Sequence, residues 1–347
     1  MGQAISKLTI KGYKSIRNLE NFELRNLNIL IGPNGSGKSN FVSFFQLLCE
    51  IFKEKDALDG YIKRIGGADK LFFLGVKVTH IIEVDFEVSD TIEGFRLIAT
   101  SDNRLSYHRL TVADSDTPSN EEFKRKFDLS KQLLKAYKLY HFHDTSDFAA
   151  VKRTCSKRDY EYLRPDASNL AAFLLFLRKK HEKEYQYIRE VIQLAAPFFD
   201  DFLLKDSLDN PDETLLEWRQ KGSDYPFHPS QISDGTLRFI CLATALLQPN
   251  PPSTILLDEP ELGLHPYALT LLAGLIQKAS LKTQVIVATQ SAALVDHFQP
   301  EDIILVERKN EESVFSRPDT EKLKIWLEDY SLGDIWSRNI IEGTAGQ

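Results

Sequence analysis

The sequence contains little cysteine and no long apolar run. Its 347 residues include 3 cysteines, Cys49, Cys155 and Cys241, which are far apart and form no CxxC pair. This pattern excludes a disulfide framework and is typical of reduced thiols. No segment reaches the ~18 to 20 consecutive apolar residues that span a bilayer, and residues 1–15 lack the apolar region of a signal peptide. We therefore expect a cytoplasmic protein that makes no membrane contact.

Excess positive charge, internal repeats and heptad runs are also missing. The chain carries 43 Lys and Arg against 50 Asp and Glu, a net charge of −7, and 42% of its residues are hydrophobic. An acidic total argues against extensive wrapping in nucleic acid. The hydrophobic content is that of a globular chain with one large domain or two lobes.

The spacing of apolar residues predicts an α/β fold. Short alternating runs predict strands that end in a buried strand at 27–31, and a glycine-rich loop and a wide apolar helical stripe follow at once. Residues 71–110 are rich in β-branched and aromatic residues and predict an antiparallel sheet. Residues 118–206 have a charged, helical pattern, after which strands and helices alternate. We expect a mostly parallel sheet with covering helices, an antiparallel β subdomain and an inserted helical region.

The loop after the buried strand, GPNGSGKSN at residues 32–40, satisfies the pattern G-x-x-x-x-G-K-[ST]. Its glycines let backbone N–H groups wrap a polyphosphate, and the helix that follows adds a favourable dipole. Lys38 would reach the β and γ phosphates, and Ser39 would ligate Mg²⁺. The expected cofactors are therefore ATP and Mg²⁺. The predicted nucleotide-binding residues of this loop are Asn34, Gly35, Ser36, Gly37, Lys38, Ser39 and Asn40.

A second motif, STILLDEPELGLHP, is a hydrophobic strand that ends in two adjacent acids, Asp258 and Glu259. Successive side chains of a strand point to opposite faces, so the two acids can have different roles. We expect Asp258 to hold Mg²⁺ through water. Glu259 would orient and polarise the attacking water, because phosphoryl transfer depends mainly on positioning and charge stabilisation.

The motifs and their order resemble those of ATP-binding cassette (ABC) ATPases of the RecF and SMC group. The chain has a Walker A loop, the signature-like turn ISDGTLR, then the Walker B motif ILLDEP, whose Asp258 lies 25 residues (258 − 233) after Ser233, and the D-loop-like ELGLHP. The opening LTIKGYKSI also resembles that group. Within the RecF and SMC group, the chain resembles a bacterial predicted-ATPase family related to OLD-type and other phage-defence ATPases. Three segments carry this resemblance: YHFHDTS, YLRPDASNLAAFL and SDGTLRF.

The resemblance implies an ABC-type head in which two copies pack head to tail. The signature turn of one head, Ser233, Asp234 and Gly235, would then cap the γ-phosphate held by the other head in an ATP sandwich. Asp234 departs from the RecF and SMC group, whose families usually carry a small residue or glycine there. A carboxylate beside a phosphate needs compensation, either from Arg238 or by turning outward. A plain helix N-cap is the alternative role of Ser233 and Asp234, and it is compatible with nucleotide contact.

Two further predicted catalytic residues depart from the family pattern. Gln290 occupies the position of the usual switch histidine, and because glutamine carries no charge we expect slow turnover; a polar strand cap is the alternative. His143, with Asp144 beside it, stands where the Q-loop glutamine of the family lies. A metal site that includes His141 is disfavoured, since no further His or Cys cluster is near, and a structural role for His143 and Asp144 stays open.

The resemblance also suggests lobes and partners. We expect an N-terminal ATPase lobe at 1–117, an inserted region at 118–215 and a C-terminal lobe at 216–347. The inserted region is too short for an SMC coiled coil, and no Toprim nuclease unit follows residue 300. The protein would therefore be a dimerising switch in anti-phage defence that acts on a separately encoded effector, a nuclease or a toxin.

Other functions remain open at this point. A RecF-like ATPase in DNA repair or maintenance is the main alternative, and a transporter motor is disfavoured by the spacing. Two segments bear on DNA contact: residues 123–138 hold six basic residues to one acid, and residues 151–158 add four. Such local basic patches bind phosphate backbones even on acidic proteins, although a solvated helix face has the same composition.

Overall fold

A computed structural model describes residues 4–52, 55–88, 91–110, 137–205 and 210–340. Most of the basic segment predicted to contact DNA, residues 123–136, lies outside these ranges. Within the described ranges, no helix combines the length and the apolar character that crossing a bilayer requires.

Strands and helices are numbered here in chain order over the described residues. The strands are β1 (Ile5–Tyr13), β2 (Ile16–Glu23), β3 (Leu27–Ile31), β4 (Ile82–Val88), β5 (Thr91–Ala99), β6 (Leu105–Leu110), β7 (Tyr137–Tyr140), β8 (Cys155–Ser156), β9 (Phe199–Leu203), β10 (Glu213–Thr214), β11 (Glu217–Gln220), β12 (Thr254–Asp258), β13 (Gln284–Thr289), β14 (Ile303–Lys309) and β15 (Glu312–Ser316). The helices are α1 (Lys38–Phe52), α2 (Lys55–Ile65), α3 (Leu170–Lys180), α4 (Glu182–Ala195), α5 (Asp234–Leu247), α6 (Pro266–Ser280), α7 (Ala292–Val295), α8 (Thr320–Leu327) and α9 (Leu332–Ser337).

The chain forms two compact units, each discontinuous in sequence. The first comprises Met1–Leu139, Pro252–Leu256 and Lys282–Gln347, and the second comprises Tyr140–Pro251 and Leu257–Leu281. The chain passes from one unit to the other near the ends of β7 and β12. The three-part division expected from the order of the motifs stays a prediction.

A mixed sheet of the first unit carries the glycine-rich loop. Over the described residues its strand order is β15-β14-β3-β13-β12-β7. Strand β3 pairs in parallel with both β13 and β14, so it is covered on both edges and all its residues are buried. Strand β15 pairs antiparallel with β14. The parallel pairs confirm the α/β class expected from the sequence.

The second sheet of the first unit is antiparallel, as predicted for residues 71–110. Its order in the described residues is β2-β1-β4-β5-β6. Strand β4 alternates regularly between buried and half-buried residues, which is the period of a strand with one face in the core. The apolar side of α1, including Phe41, Phe44 and Phe45, belongs to the same hydrophobic core as β1 and β4. The core thus fixes α1, and with it the loop that precedes α1.

The described part of the second unit contains four α-helices and two small two-stranded antiparallel sheets. Helices α4, α5 and α6 contact one another, and residues Leu237 to Leu246 of α5 are almost all buried. The first turn of α5 differs, because Ser233 and Asp234 are exposed. A buried helix body therefore holds an exposed N-terminus in place.

Candidate functional site

The phosphate loop joins β3 to α1 in the first unit, as predicted. Gly37 has a φ of 114°, and a Cβ there would overlap Ser313 Oγ and lie 2.8 Å from Ser15 Oγ. Only glycine fits this position without strain. The need for glycine in this motif therefore has a local cause, the close approach of two serines from β15 and from the turn between β1 and β2.

Ser15 and Ser313 form hydrogen bonds that support the phosphate loop. Ser313 Oγ lies 2.7 Å from Ser15 Oγ and donates to the backbone oxygen of Ser36 at 2.5 Å. Asn40, predicted to contact nucleotide, donates its side-chain amide to Ser15 Oγ at 2.7 Å. Sequence reasoning missed Ser15 and Ser313, because both are distant from the loop along the chain and belong to no motif.

The interior of the loop suits an anion. Lys38 is 5% exposed, and its Nζ donates to the backbone oxygens of Gly32 at 2.7 Å and Pro33 at 3.1 Å. The hydroxyl of Ser36 is buried and has no hydrogen-bond partner among the described residues. Buried polar groups are normally paired, so a buried hydroxyl without a partner, in the same loop as a buried ammonium group, fits a ligand with acceptor oxygens. The residues present therefore fit a nucleotide phosphate.

Gln290 lies at the same edge of the sheet as this loop. Thr289, the last residue of β13, is in register with Ile31, the last residue of β3, in a parallel pair. Gln290 and Gly32 thus leave neighbouring strands at the same level. Ser291 caps α7 by accepting from the N–H of Leu294 at 3.2 Å. The placement is compatible with the predicted contact to a bound phosphate.

The acids of the second motif lie in the second unit. Asp258 ends β12, and Glu259 follows it with a φ of 46°. Left-handed backbone costs a non-glycine residue about 1 to 2 kcal/mol. Strain of this kind, where it is observed, is a reason to suspect function.

Three predicted catalytic or metal-binding residues meet in one small recess of the second unit. Asp258, Glu259 and His143 line it together with Arg238, Tyr140 and Phe142. The nearby His141 has a pKa lowered from its ordinary value by burial, while the charge of Asp258 acts in the opposite direction. No group of three or more His, Cys, Asp or Glu that suits a metal ion occurs in the described part of the chain. Asp144 accepts from Ser146 Oγ at 2.7 Å, and this bond lowers the pKa of Asp144.

The signature-like turn caps α5. Ser233 Oγ accepts from the N–H of Thr236 at 3.3 Å, so the N-cap considered from the sequence is present. A Cβ on Gly235 would overlap the backbone oxygen of Gly263. Glycine at 235 is therefore required by the D-loop-like segment, whatever approaches from outside.

The side chain of Asp234 is turned outward and is 66% exposed, which is one of the two arrangements expected from the sequence. Arg238 does not compensate the charge of Asp234: the guanidinium donates to the backbone oxygens of Phe142 at 2.8 Å, His143 at 3.2 Å and Leu262. Lys152 has that position instead, with Nζ 3.8 Å from Asp234 Oδ1. The sequence suggested that Lys152 is part of an exposed basic patch, yet its side chain is 5% exposed.

Solved structures with a similar fold are heads of SMC proteins. The SmcHead bound to the C-winged helix domain of ScpA has a TM-score of 0.64 and 19% identity, over 92% of this chain and 99% of that chain. The Smc head domain with an extended coiled coil bound to the C-terminal domain of ScpA, from Pyrococcus furiosus, has a TM-score of 0.61 and 17% identity, over 94% and 98%. The Smc head domain with a coiled coil and joint from Pyrococcus yayanosii has a TM-score of 0.54 and 14% identity, over 94% and 99%.

These similarities define the class: the fold is that of an SMC head, an ABC-type ATPase fold. Residues 27–296 match the family described as "AAA domain, putative AbiEii toxin, Type IV TA system". The match covers more than half of the chain, and the protein belongs to this ATPase family. The matched range includes the phosphate loop, the signature-like turn, the paired acids and Gln290. No curated protein gives a significant sequence match.

Proposed function

We propose that the protein hydrolyses ATP with Mg²⁺ and acts as a nucleotide-driven switch that dimerises head to tail. The observation that carries the proposal is the exposed turn of Ser233 and Asp234 at the N-terminus of α5, a helix of 14 residues. A helix N-terminus presents free N–H groups and a partial positive charge to an anion. In the proposed dimer this turn caps the γ-phosphate held by the phosphate loop of the partner.

In the proposed reaction the phosphate loop binds and neutralises the nucleotide. Lys38 would exchange its bonds to the loop carbonyls for bonds to phosphate oxygens, and the Ser36 hydroxyl would gain an acceptor. Ser39 and Asp258 would hold Mg²⁺, which neutralises phosphate charge when bound. Because the loop already holds the ammonium group, only a local exchange of its hydrogen bonds is needed when ATP binds.

The recess of the second unit is the proposed source of the attacking water. Glu259 would accept a hydrogen bond from that water and orient it, and His143 would help to position it. Gln290 would donate to the γ-phosphate without adding charge. Since charge at that position stabilises phosphoryl transfer, a neutral residue is consistent with slow turnover.

Glu259→Gln is expected to bind ATP and accumulate as a dimer. The change keeps the nucleotide ligands and removes only the carboxylate that orients water. Light scattering after size-exclusion chromatography, with and without ATP and Mg²⁺, measures the mass, and phosphate release measures turnover. We expect loss of hydrolysis by at least about 100-fold, the lower end of the usual contribution of an acid or base.

Glu190→Gln is the matched control for this experiment, because Glu190 is an exposed glutamate of α4 in the same unit. It should hydrolyse ATP at the wild-type rate and show no stable dimer. Wild-type hydrolysis by Glu259→Gln would remove Glu259 from the proposed mechanism, and a strictly monomeric Glu259→Gln protein with ATP would contradict the dimerising switch.

We further propose that the switch controls a separately encoded effector, a nuclease or a toxin, in anti-phage defence. The description of the matched family, a putative AbiEii toxin of a Type IV TA system, favours a role in a system that also contains a second protein. SMC heads of similar fold are described as bound to domains of ScpA, which favours a protein partner on a head of this kind. Purification of the untagged protein, followed by mass spectrometry and nucleic-acid extraction, would identify what it carries.

A RecF-like role in DNA maintenance is the second candidate, supported by the basic composition of residues 123–138. If DNA binds there, affinity should fall steeply with salt, because bound phosphates release counterions. Replacement of five basic residues by Glu should then abolish DNA binding and leave basal ATP hydrolysis unchanged. The residues are Lys124, Arg125, Lys126, Lys131 and Lys135.

The control for this variant replaces Lys179 and Lys180, two exposed lysines of α3, by Glu. Binding by filter retention over a salt series compares the proteins. Wild-type affinity that is absent or independent of salt would exclude this site and favour a protein trigger.

A further inference from the structure

Lys152 is a buried cation beside an exposed carboxylate. It ends the short 3₁₀ turn Ala150–Lys152, and its side chain is 5% exposed. Nζ donates to the backbone oxygen of Thr145 at 2.6 Å and lies 3.8 Å from Asp234 Oδ1, whose side chain is 66% exposed. Burying an ammonium group is costly unless it is paired. The position of Lys152 therefore needs an explanation beyond packing.

Stability of helix α5 does not provide that explanation. A helix N-terminus carries about +0.5 of an elementary charge and favours anions, so Asp234 alone would suit it and a cation there is unfavourable. Lys152 places a positive charge 3.8 Å from Asp234 Oδ1 and so offsets part of the negative charge of the carboxylate. With Lys152 present the turn is less repulsive to an anion than it would be with Asp234 alone.

We propose that Lys152 is the positioning residue of the signature turn: it holds and neutralises the carboxylate of Asp234, so that the N-terminus of α5 accepts a phosphate. This proposal rests on the dimerising switch proposed above. It explains how a turn with an acidic residue can still face a nucleotide.

The same contact joins the turn to the segment after β7. Lys152 and Thr145 belong to that segment, and Arg238 of α5 bonds to its residues Phe142 and His143. Two cations thus connect the recess that holds His143 with the signature turn. A shift of the segment after β7 would move Lys152 relative to Asp234 and so change the charge presented by the signature turn. The recess that holds His143 and the signature turn are therefore physically coupled.

The test is a double-mutant cycle in the Glu259→Gln background. Lys152→Met keeps the length of the side chain and removes its charge. We expect it to weaken ATP-dependent dimerisation by at least about tenfold, which corresponds to about 1.4 kcal/mol. In a chain that also carries Asp234→Asn, the same Lys152→Met change should cost less than about threefold, since coupled groups lose their interaction when either is removed.

Sedimentation velocity over a range of protein concentrations gives the dimer constants, and Lys180→Met, an exposed lysine of α3, is the control that should match the parent. If Lys152→Met weakens dimerisation tenfold in the chain that also carries Asp234→Asn, Lys152 does not act through Asp234. If Lys152→Met weakens dimerisation less than twofold when Asp234 is unchanged, Lys152 does not act on the turn. If neither Lys152→Met nor the double variant folds, judged by circular dichroism, Lys152 is structural and the proposal is wrong. If the parent does not dimerise with ATP, the proposed function itself has failed and this proposal fails with it.

Discussion

A Lys38→Ala chain mixed with a Ser233→Arg chain is expected to regain ATPase activity that neither chain has alone. In a head-to-tail dimer each site takes Lys38 from one chain and Ser233 from the other. Each variant alone therefore has two defective sites. In the mixed dimer one site collects both defects and the other is intact. Lost charge at the phosphates and a bulky cation in the signature turn should each reduce turnover by at least about 100-fold.

The recovered activity should approach one active site per mixed dimer if the two sites act independently, although coupled groups need not be additive. Different affinity tags on the two chains allow the mixed dimer to be isolated before phosphate release is measured. Ser331→Arg is the control for the loss of a helix cap, because Ser331 caps α9 by accepting from the N–H of Asp334 at 3.2 Å. The Ser331→Arg protein should be active on its own, without mixing with a second variant.

A chain with both changes, mixed with wild type, separates the remaining cases. If the signature acts on the partner's nucleotide, each site of the mixed dimer has one defect. If it acts within its own chain, one site is wholly intact. Activity above that of the residual wild-type dimers would therefore refute the head-to-tail arrangement and leave Ser233 as a helix cap.

Gly37→Ala is expected to destroy nucleotide binding and to lower stability. The new alanine would have to adopt a φ of 114°, and its Cβ would overlap Ser313 Oγ. Strain at such a φ costs about 1 to 3 kcal/mol, and overpacking costs about as much again. A loop displaced by about 1 Å would also lose about 100-fold in rate. Fluorescent ATP binding and thermal unfolding measure the two effects.

Gly274→Ala is the matched control, since Gly274 is exposed in α6 and a Cβ there meets nothing within 4 Å. It should preserve binding and raise stability by about 0.5 to 1 kcal/mol. Ser313→Gly added to Gly37→Ala removes the nearest obstacle and should recover part of the lost stability. Wild-type binding by Gly37→Ala would show that Ser313 and Ser15 do not constrain the loop.

The elements around the nucleotide motifs could be predicted because their signals are local. The apolar run at 27–31, the glycines after it and the stripe of Phe41, Phe44 and Phe45 specify a strand, a loop and a helix without reference to the rest of the chain. The antiparallel sheet after residue 71 was also indicated by its own alternation and turns.

The supporting contacts could not be predicted, because they join residues that are distant along the chain. Ser313 reaches a loop 277 positions away, and no pattern in its own surroundings indicates this. The burial of Lys152 could not be predicted from the sequence either. In a sequence, a lysine among Arg153, Lys157 and Arg158 predicts an exposed basic patch, and only the tertiary structure shows which of these side chains is buried.

The two-sided pairing of β3 has a consequence for the order in which the protein is synthesised. The strand that carries the phosphate loop is made early, but both its neighbours, β13 and β14, come from residues 284–309, and its serine support from β15 comes later still. At ordinary rates of translation the interval is on the order of tens of seconds. During that time the apolar β3 has neither of its neighbouring strands, so both of its edges are unpaired in the nascent chain. A ribosome-bound chain that has not yet reached β14 therefore holds the whole Walker A sequence without the sheet that makes it a nucleotide-binding loop.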